Sequence, residues 1–264
     1  MLTKSGISDY SVNCYVGCLH NCVYCYARYM SKFTNHCEAW GQFLDVKVNA
    51  ADVLAREVKR KPTGKIFFSS ACDGWQPAER KYELTRRCLK IATDAGFPIR
   101  ALSKSNLIER DIDIFAASVD ATFGCTITTL DESLRRRIEI AASSSEARLK
   151  ALEKAKSAGV RTWAFCGPLL PELTDSRRNI EAVISRLADA DVDSIIVDKL
   201  NFRSGVYESI ISMLGRFYPE LIPKYHRLFS NRQEYDEYAY KLRVRVKEVA
   251  ACSGLNGKLE VIIG

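Results

Sequence analysis

Short apolar runs alternate with helical segments along most of the chain. In residues 84–95, Leu84, Cys88 and Ile91 recur at helical spacing, and Gly96 follows them. A glycine at the end of a helix adopts the left-handed conformation without a Cβ penalty, so the chain can turn into a strand. Five predicted strands are residues 65–70, 98–102, 121–128, 160–165 and 192–197. A sixth predicted strand precedes them and leads into Cys14. About six strands alternating with helices predict parallel βαβ units with right-handed crossovers.

The remaining segments complete this outline. Residues 26–37 and 52–60 are predicted short helices, the second with Asp52 in its first turn. From Tyr207 onward the pattern is helical and aromatic, and residues 259–262 are a predicted closing strand at the sheet edge. We therefore expect a barrel core over residues 1–205 and a helical C-terminal extension, residues 206–264, packed on that barrel.

Composition narrows the class of protein. A chain of 264 residues, 47% of them hydrophobic, is long enough for one large α/β domain. No export segment opens the sequence, and no apolar stretch approaches the roughly 18 residues of a membrane helix, so we expect a cytoplasmic location. There, ten cysteines favour metal or redox chemistry over disulfides. The net charge of +7 would suit a phosphate-bearing partner, although the basic residues lie in scattered clusters.

Four of the cysteines lie within one stretch of twelve residues: Cys14, Cys18, Cys22 and Cys25. Thiolates are soft ligands for zinc, copper(I) or iron-sulfur clusters, and one loop can wrap a single metal centre. The spacing Cys18-x3-Cys22-x2-Cys25 is neither the paired motif of a zinc finger nor the run of a bacterial ferredoxin. Three interpretations of Cys14 remain: the fourth thiolate of a closed metal site, part of a disulfide knot, or a small buried strand residue.

Polar residues follow the predicted strands at the carboxyl ends, where reactive groups collect in parallel β/α architectures. Each of these residues could also be an ordinary turn or cap residue. Their recurrence after successive strands favours one shared site. The segments are the cysteine loop, residues 69–73, 103–105 and 126–129, Cys166-Gly167, and residues 198–201.

Several motifs resemble one branch of a known superfamily. The segment Gly17-Cys18-x-His20-x-Cys22-x-Tyr24-Cys25-Tyr26-Ala27-Arg28 is similar to the spore photoproduct lyase-like branch, also described as DNA repair photolyase-like, of the radical S-adenosylmethionine (radical SAM) superfamily. The resemblance extends from residue 10 to residue 205. Its further motifs are Asp73-x-x-Gln76-Pro77-x-Glu79, Ser103-Lys104-Ser105, Thr128-Thr129-Leu130-Asp131-Glu132 and Pro168-Leu169-Leu170-Pro171.

The resemblance implies an α/β fold, a partial (β/α)6 TIM-like barrel of parallel strands with a helical C-terminal extension. In the superfamily, three thiolates hold a 4Fe-4S cluster whose fourth iron binds S-adenosylmethionine (SAM), and Cys18, Cys22 and Cys25 match those thiolates. One electron then cleaves SAM to methionine and a 5'-deoxyadenosyl radical, which takes hydrogen from a substrate. An electron donor such as a ferredoxin or flavodoxin is implied, and a nucleic acid or nucleotide is the expected substrate.

The resemblance also assigns candidate site residues. Lys104 is expected to pair with the methionine carboxylate of SAM, and Ser70 or its neighbours to meet the amine. Thr126 or Thr128 is expected to meet the ribose. Cys72 is the catalytic candidate because a cysteine in this region of the spore lyase returns hydrogen to the product radical; otherwise it is a small buried residue. The other cofactor-binding candidates are Tyr24, Asp73, Ser105 and Asn201.

Two other functions stay open from the sequence. Within enzymes, the alternative is a radical SAM enzyme that acts on a small molecule or a peptide. Outside enzymes, the alternative is a zinc or closed-cluster protein, completed by Cys14, that binds nucleic acid through its basic surface.

Overall fold

The computed structural model describes residues 1–203, 205–253, 255 and 257–263, and in them strands and helices alternate. The strands are β1 Thr3–Lys4, β2 Tyr10–Val12, β3 Tyr15–Val16, β4 Asp45–Val46, β5 Ile66–Phe68, β6 Ile99–Ala101, β7 Ala121–Thr126, β8 Arg161–Leu169, β9 Ser194–Lys199 and β10 Leu259–Val261.

The helices lie mostly between these strands. The α-helices are α1 Ala50–Glu57, α2 Glu79–Tyr82, α3 Leu84–Asp94, α4 Ile112–Ala117, α5 Glu132–Ile138, α6 Ser145–Ser157, α7 Arg177–Asp189, α8 Val206–Phe217, α9 Ile222–Ser230 and α10 Arg232–Cys252. Three 3-10 helices span Tyr26–Phe33, Asn106–Asp111 and Pro219–Leu221. None of the helices in the described part of the chain is both long enough and apolar enough to cross a membrane.

One sheet organises the molecule, with its strands in the order β1-β2-β5-β6-β7-β8-β9-β10. β1 pairs with β2 in antiparallel fashion, and every other neighbouring pair in this sheet is parallel. The parallel strands β2 and β5 to β9, with their intervening helices, form the expected partial (β/α)6 TIM-like barrel. β10 is the closing strand beside β9, as expected from residues 259–262. A small antiparallel pair, β3 and β4, flanks the cysteine loop.

Several boundaries differ from those expected from the sequence. The helix expected over residues 26–37 is a 3-10 helix that ends at Phe33, and the helix expected over residues 52–60 is α1, residues 50–57. β7 ends at Thr126 rather than at residue 128. β8 is longer than expected and reaches Leu169 through an irregularity in its pairing with β9. Apolar runs do not mark these ends because pairing with neighbouring strands, not local composition, sets where a strand stops.

The apolar core has two parts. The main cluster joins the strands to the helices that cover them, for example Ile66 and Phe68 of β5 with Leu84 and Cys88 of α3. Successive side chains of a strand point to opposite faces, so Phe67 points into the barrel instead.

The second apolar cluster contains residues of the cysteine loop, such as Tyr24, together with α8 residues such as Ile210 and Leu214. α10 packs against α7 and α9. The predicted division of the chain at residue 205 stays a prediction; in the structure, α8 packs on the loop that carries the cysteines.

Candidate active site

The segment after β2 turns sharply and brings three thiols to one cavity. Gly17 has a φ of +88°, and a Cβ there would overlap the carbonyl oxygen of Phe43, so this turn requires glycine. Cys18, Cys22 and Cys25, called the cluster cysteines below, are free thiols. All three line a cavity of about 520 Å³, called the active-site cavity below.

Buried side chains hold this loop by its backbone. Gln76, which is fully buried, accepts a hydrogen bond from the Leu19 N–H at 2.9 Å and donates to the Gly17 carbonyl at 3.3 Å. Arg28 donates to the Cys22 carbonyl at 2.9 Å and to Asn21 Oδ1 at 3.0 Å. Amide and guanidinium groups thus satisfy buried carbonyls and fix where the thiols point.

Asp73 lines the active-site cavity and organises the strand ends around it. Its carboxylate accepts hydrogen bonds from the Trp75 N–H, Ser103 Oγ and the Lys104 N–H at 2.7 to 2.9 Å. His20 Nε2 lies 3.2 Å from Asp73 Oδ2. Burial raises the pKa of Asp73, but His20 and the backbone donors outweigh burial and lower it to about 2. Both oxygens of Asp73 therefore have partners within the protein, and its expected contact with the cofactor stays a prediction.

Lys104 and Tyr24 line the cavity side by side. Lys104 Nζ lies 5.6 Å from the centre of the Tyr24 ring, within the range of a cation–π contact. Burial lowers the pKa of Lys104, but the nearby Cys22 thiol and Glu139 carboxylate raise it by more. The ammonium therefore keeps its charge in the cavity wall.

A buried ion pair behind the cavity was not predicted from the sequence. Glu139 and Arg148 are fully buried, and Arg148 Nη2 donates to Glu139 Oε2 at 2.5 Å. Glu139 also accepts hydrogen bonds from the Tyr24 hydroxyl and, at 3.1 Å, from Thr128 Oγ1. A backbone bridge joins Glu139 to Cys22. The pair therefore supports the cysteine loop from behind.

One signal in the sequence could have found this pair. Arg148 occupies a position of α6 that shares a buried face with Leu149 and Leu152. An arginine on the apolar face of a helix is almost never buried without a partner. The sequence does not show which carboxylate is that partner, because Glu139, which follows α5, becomes the neighbour of Arg148 only in the folded chain.

The predicted ribose contacts separate in the structure. Thr126, the last residue of β7, lines the active-site cavity, and its buried hydroxyl has no hydrogen-bond partner among the described residues. Thr128 does not line this cavity because its hydroxyl donates to Glu139. Of the two candidates, only Thr126 is placed to meet a ligand there.

Ser105 also lies outside the active-site cavity. Its hydroxyl accepts a hydrogen bond from the Leu107 N–H at 3.2 Å and caps the 3-10 helix that follows. The expectation that Ser105 binds the cofactor stays a prediction, and in the structure its hydroxyl caps a helix.

The other predicted residues reach the cavity. Ser70 lines it and accepts a hydrogen bond from Asn13 Nδ2 at 2.9 Å. Asn201 also lines it and donates to Asp198 Oδ2 at 3.3 Å. Cys72 lines it as well; its Sγ contacts the Tyr15 carbonyl at 3.2 Å, and burial raises its pKa to about 12. The Cys72 side chain is therefore a thiol at neutral pH.

The remaining candidate thiols lie elsewhere. Cys14 is 2% exposed, belongs with Cys88 to the main apolar cluster, and does not line the active-site cavity. This placement agrees with a small buried residue and not with a fourth metal ligand. Cys166 belongs to the main apolar core and is likewise outside the cavity.

The donor set around the cavity fits an iron-sulfur cluster with SAM. Three thiols from one loop suit an iron-sulfur cluster that keeps one iron open. An ammonium from Lys104 and an unpartnered hydroxyl from Thr126 border the same space. A carboxylate and a hydroxyl of a ligand would satisfy these two groups.

The family follows from comparison with known proteins. The model of the radical SAM superfamily matches residues 12–195, more than half of the chain. The chain belongs to the radical SAM superfamily and is a radical SAM enzyme. Membership of this superfamily implies SAM and an iron-sulfur cluster as cofactors.

Particular relatives and structures are similar to this chain. An uncharacterized protein of Methanocaldococcus jannaschii is 36% identical over 173 residues, which are 66% of this chain and 65% of that protein. Spore photoproduct lyase complexed with dinucleoside spore photoproduct superposes with a TM-score of 0.72 at 17% identity, covering 99% of this chain and 78% of that one. A mutant of that lyase was solved with bound AdoMet and dinucleoside spore photoproduct, and its TM-score is 0.71 at 16% identity.

A second solved enzyme has a related fold. Streptococcus suis SuiB bound to S-adenosylmethionine superposes with a TM-score of 0.55 at 12% identity, covering 81% of this chain and 47% of that one. At these identities the likenesses show the fold alone, so substrate and partners are argued below from this chain's own residues.

Proposed function

We propose that the cluster cysteines hold a 4Fe-4S cluster with SAM at its open iron, and that the enzyme acts on a nucleic acid or nucleotide. The observation that carries the proposal is the lining of the active-site cavity. Three thiols, the Lys104 ammonium and the unpartnered Thr126 hydroxyl border one space. When bound, the cluster and SAM supply a 5'-deoxyadenosyl radical that abstracts hydrogen from the substrate.

The protein's own residues bind and orient in this proposal. Lys104 faces the methionine carboxylate as a compact point charge, and the Thr126 hydroxyl donates a hydrogen bond to the ribose. The Ser70 hydroxyl accepts a hydrogen bond from the amine of SAM. Tyr24 and Asn201 form walls of the same cavity. Asp73 contributes indirectly, because it holds the backbone of Lys104 and the side chain of His20 in place.

Cys72 is the proposed hydrogen donor. Its thiol lies in the cavity wall, and its raised pKa keeps the hydrogen on sulfur at neutral pH. A thiol has a weak S–H bond, which suits hydrogen-atom return to a carbon-centred radical. The opposing interpretation is a small buried residue that contacts the Tyr15 carbonyl.

Charge supports a phosphate-bearing substrate. Arg100, Lys199 and Arg203 line the cavity in addition to Lys104, and the whole chain carries a net charge of +7. A cavity lined by cations concentrates anionic ligands. An electron carrier such as a ferredoxin or flavodoxin completes the proposal, and a reducing compartment such as the cytoplasm suits the free thiols.

Anaerobic reconstitution with iron and sulfide, followed by reduction in the presence of SAM, tests the reaction class. We expect a brown protein whose visible absorption is bleached by dithionite and which forms 5'-deoxyadenosine. A colourless zinc protein that leaves SAM intact would contradict the proposal and favour the closed metal site. Nucleic acid binding that weakens steeply with added salt would support the substrate class, whereas salt-independent binding of a small molecule or peptide would favour the other enzyme class.

A further inference from the structure

Arg100 lies deep in the barrel, away from the strand ends that carry the cysteine loop. It is the middle residue of β6, pairs in register with Phe67 of β5, and lines the active-site cavity. Lys104 is four residues further along the chain, which places Arg100 up to roughly 13 Å deeper at the rise of an extended strand. A cation at this depth is unusual, because barrel interiors are normally filled with bulky apolar side chains.

The guanidinium rests on an aromatic platform. Arg100 Cζ is 3.9 Å from the centre of the Trp163 ring, and Phe67 meets that ring edge-on at 6.2 Å between centroids. The cation–π contact holds the guanidinium against one face of the indole. Arg100 and Trp163 are called the barrel-floor pair below.

Trp163 is itself fixed by its neighbours. Its Nε1 donates to the Ala101 carbonyl at 3.0 Å, across the intervening strand β7. The indole can cross β7 because residue 124 of that strand is glycine. A Cβ on residue 124 would overlap the indole nitrogen of Trp163. Gly124 and Trp163 are register partners in the β7–β8 pairing. The platform is therefore set by the backbone and does not depend on a mobile side chain.

Arg100 has no carboxylate partner of its own. Within the described part of the chain, its side chain makes no ion pair and no hydrogen bond, and its Nε is buried and unpartnered. Burial lowers its pKa, and the more distant Glu260 offsets this lowering only partly. A partly buried cation and a buried N–H without a partner both cost free energy. The cation–π contact offsets part of this cost, and a bound anion would offset the rest.

We propose that the barrel-floor pair binds an anionic group of the substrate, a phosphate or a carboxylate. The inference rests on the proposed function in one respect, that the substrate enters the active-site cavity. A guanidinium stacked by its face keeps its N–H edge free, and that edge matches two oxygens of a phosphate or carboxylate. Anchoring one end of the substrate at Arg100 would orient the rest of it toward the cysteine loop.

Calorimetric titration tests this proposal without any turnover. The reconstituted protein, saturated with SAM so that Lys104 is already engaged, is titrated with inorganic phosphate and, separately, with acetate. We expect saturable binding of at least one of them to the wild type. Arg100→Met should weaken that binding about ten- to a hundredfold, the range for loss of a charge-assisted hydrogen bond. Tighter phosphate binding identifies a phosphorylated substrate, and tighter acetate binding identifies a carboxylate.

Two further variants keep the test decisive. Arg232→Met removes a surface arginine that forms an ion pair with Asp236, and it should bind both anions as the wild type does. Arg100→Lys keeps the positive charge but lacks the planar guanidinium, so it should give an intermediate affinity. This variant also replaces Arg100→Met in the test if circular dichroism shows that Arg100→Met is misfolded. Equal anion affinities in wild type and both Arg100 variants, or no saturable binding in wild type, would overturn the inference.

The outcome is separable from that of the proposed function. Absence of 5'-deoxyadenosine from the wild type would reject the proposed reaction while leaving the anion titrations interpretable. Conversely, 5'-deoxyadenosine formation with unchanged anion binding in Arg100→Met would reject only the role of the barrel-floor pair.

Discussion

Removing Arg148 should destabilise the protein far more than removing a surface arginine. Arg148 neutralises Glu139 in a fully buried pair at 2.5 Å, and its Nη1 also donates to the Thr126 carbonyl at 2.6 Å. Arg148→Met would leave the carboxylate buried with only hydroxyl donors and the nearby Lys104. Truncating one partner of a buried pair costs about 3 to 5 kcal/mol, which for a chain of this size lowers Tm by roughly 6 to 20 °C.

The measurement is thermal unfolding by circular dichroism under anaerobic conditions, with iron counted in each sample. The matched control is Arg177→Met, which removes a guanidinium from exposed pairs with Glu181 and Glu248 and should change stability by about 1 kcal/mol or less. Because Glu139 supports Tyr24 and Cys22, Arg148→Met should also retain less iron than the control.

A double variant separates charge from packing. In Glu139→Gln with Arg148→Met, a neutral amide can still accept from the Tyr24 and Thr128 hydroxyls, while no buried charge remains unpaired. We expect this double variant to be more stable than Arg148→Met alone. The reasoning would be refuted if Arg148→Met were as stable as Arg177→Met, or if the double variant recovered none of the loss.

Three other predictions concern the cavity itself. Alanine at any one of the cluster cysteines should abolish iron binding, whereas Cys14→Ala should keep most of the iron; loss of iron from Cys14→Ala alone would favour a closed four-thiolate site. Lys104→Ala should retain iron but bind SAM about ten- to a hundredfold more weakly, for loss of one charge-assisted hydrogen bond, and unchanged SAM affinity in an iron-replete sample would reject its role. Cys72→Ala should retain iron and 5'-deoxyadenosine formation but divert the substrate to altered products by chromatography; the same product at the same rate would mark Cys72 as structural.

Much of the fold could be predicted from local patterns. The positions of β5 to β9 follow from apolar runs that come after glycines or helices, and the parallel arrangement follows from the alternation itself. Cys18, Cys22 and Cys25 could be proposed as ligands because their motif resembles that of a known superfamily, and a motif is a property of the chain that survives any tertiary arrangement. The strand ends likewise indicated Ser70, Cys72 and Lys104, since the carboxyl ends of parallel strands share one edge.

Tertiary structure alone decided which of the polar residues reach the cavity. Thr126 and Thr128 are equivalent in the sequence, but β7 ends at Thr126 and Glu139 engages Thr128. The same packing pairs Arg148 with Glu139, residues that lie in separate segments.

The barrel-floor pair depends on tertiary structure in the same way. Arg100 and Trp163 belong to strands separated by β7 and meet only because Gly124 leaves room between them. The local periodicity of the sequence specifies on which side of a helix or strand a given side chain lies. Its partner across the molecule depends on how the elements pack, so buried charges and their contacts are determined at that level.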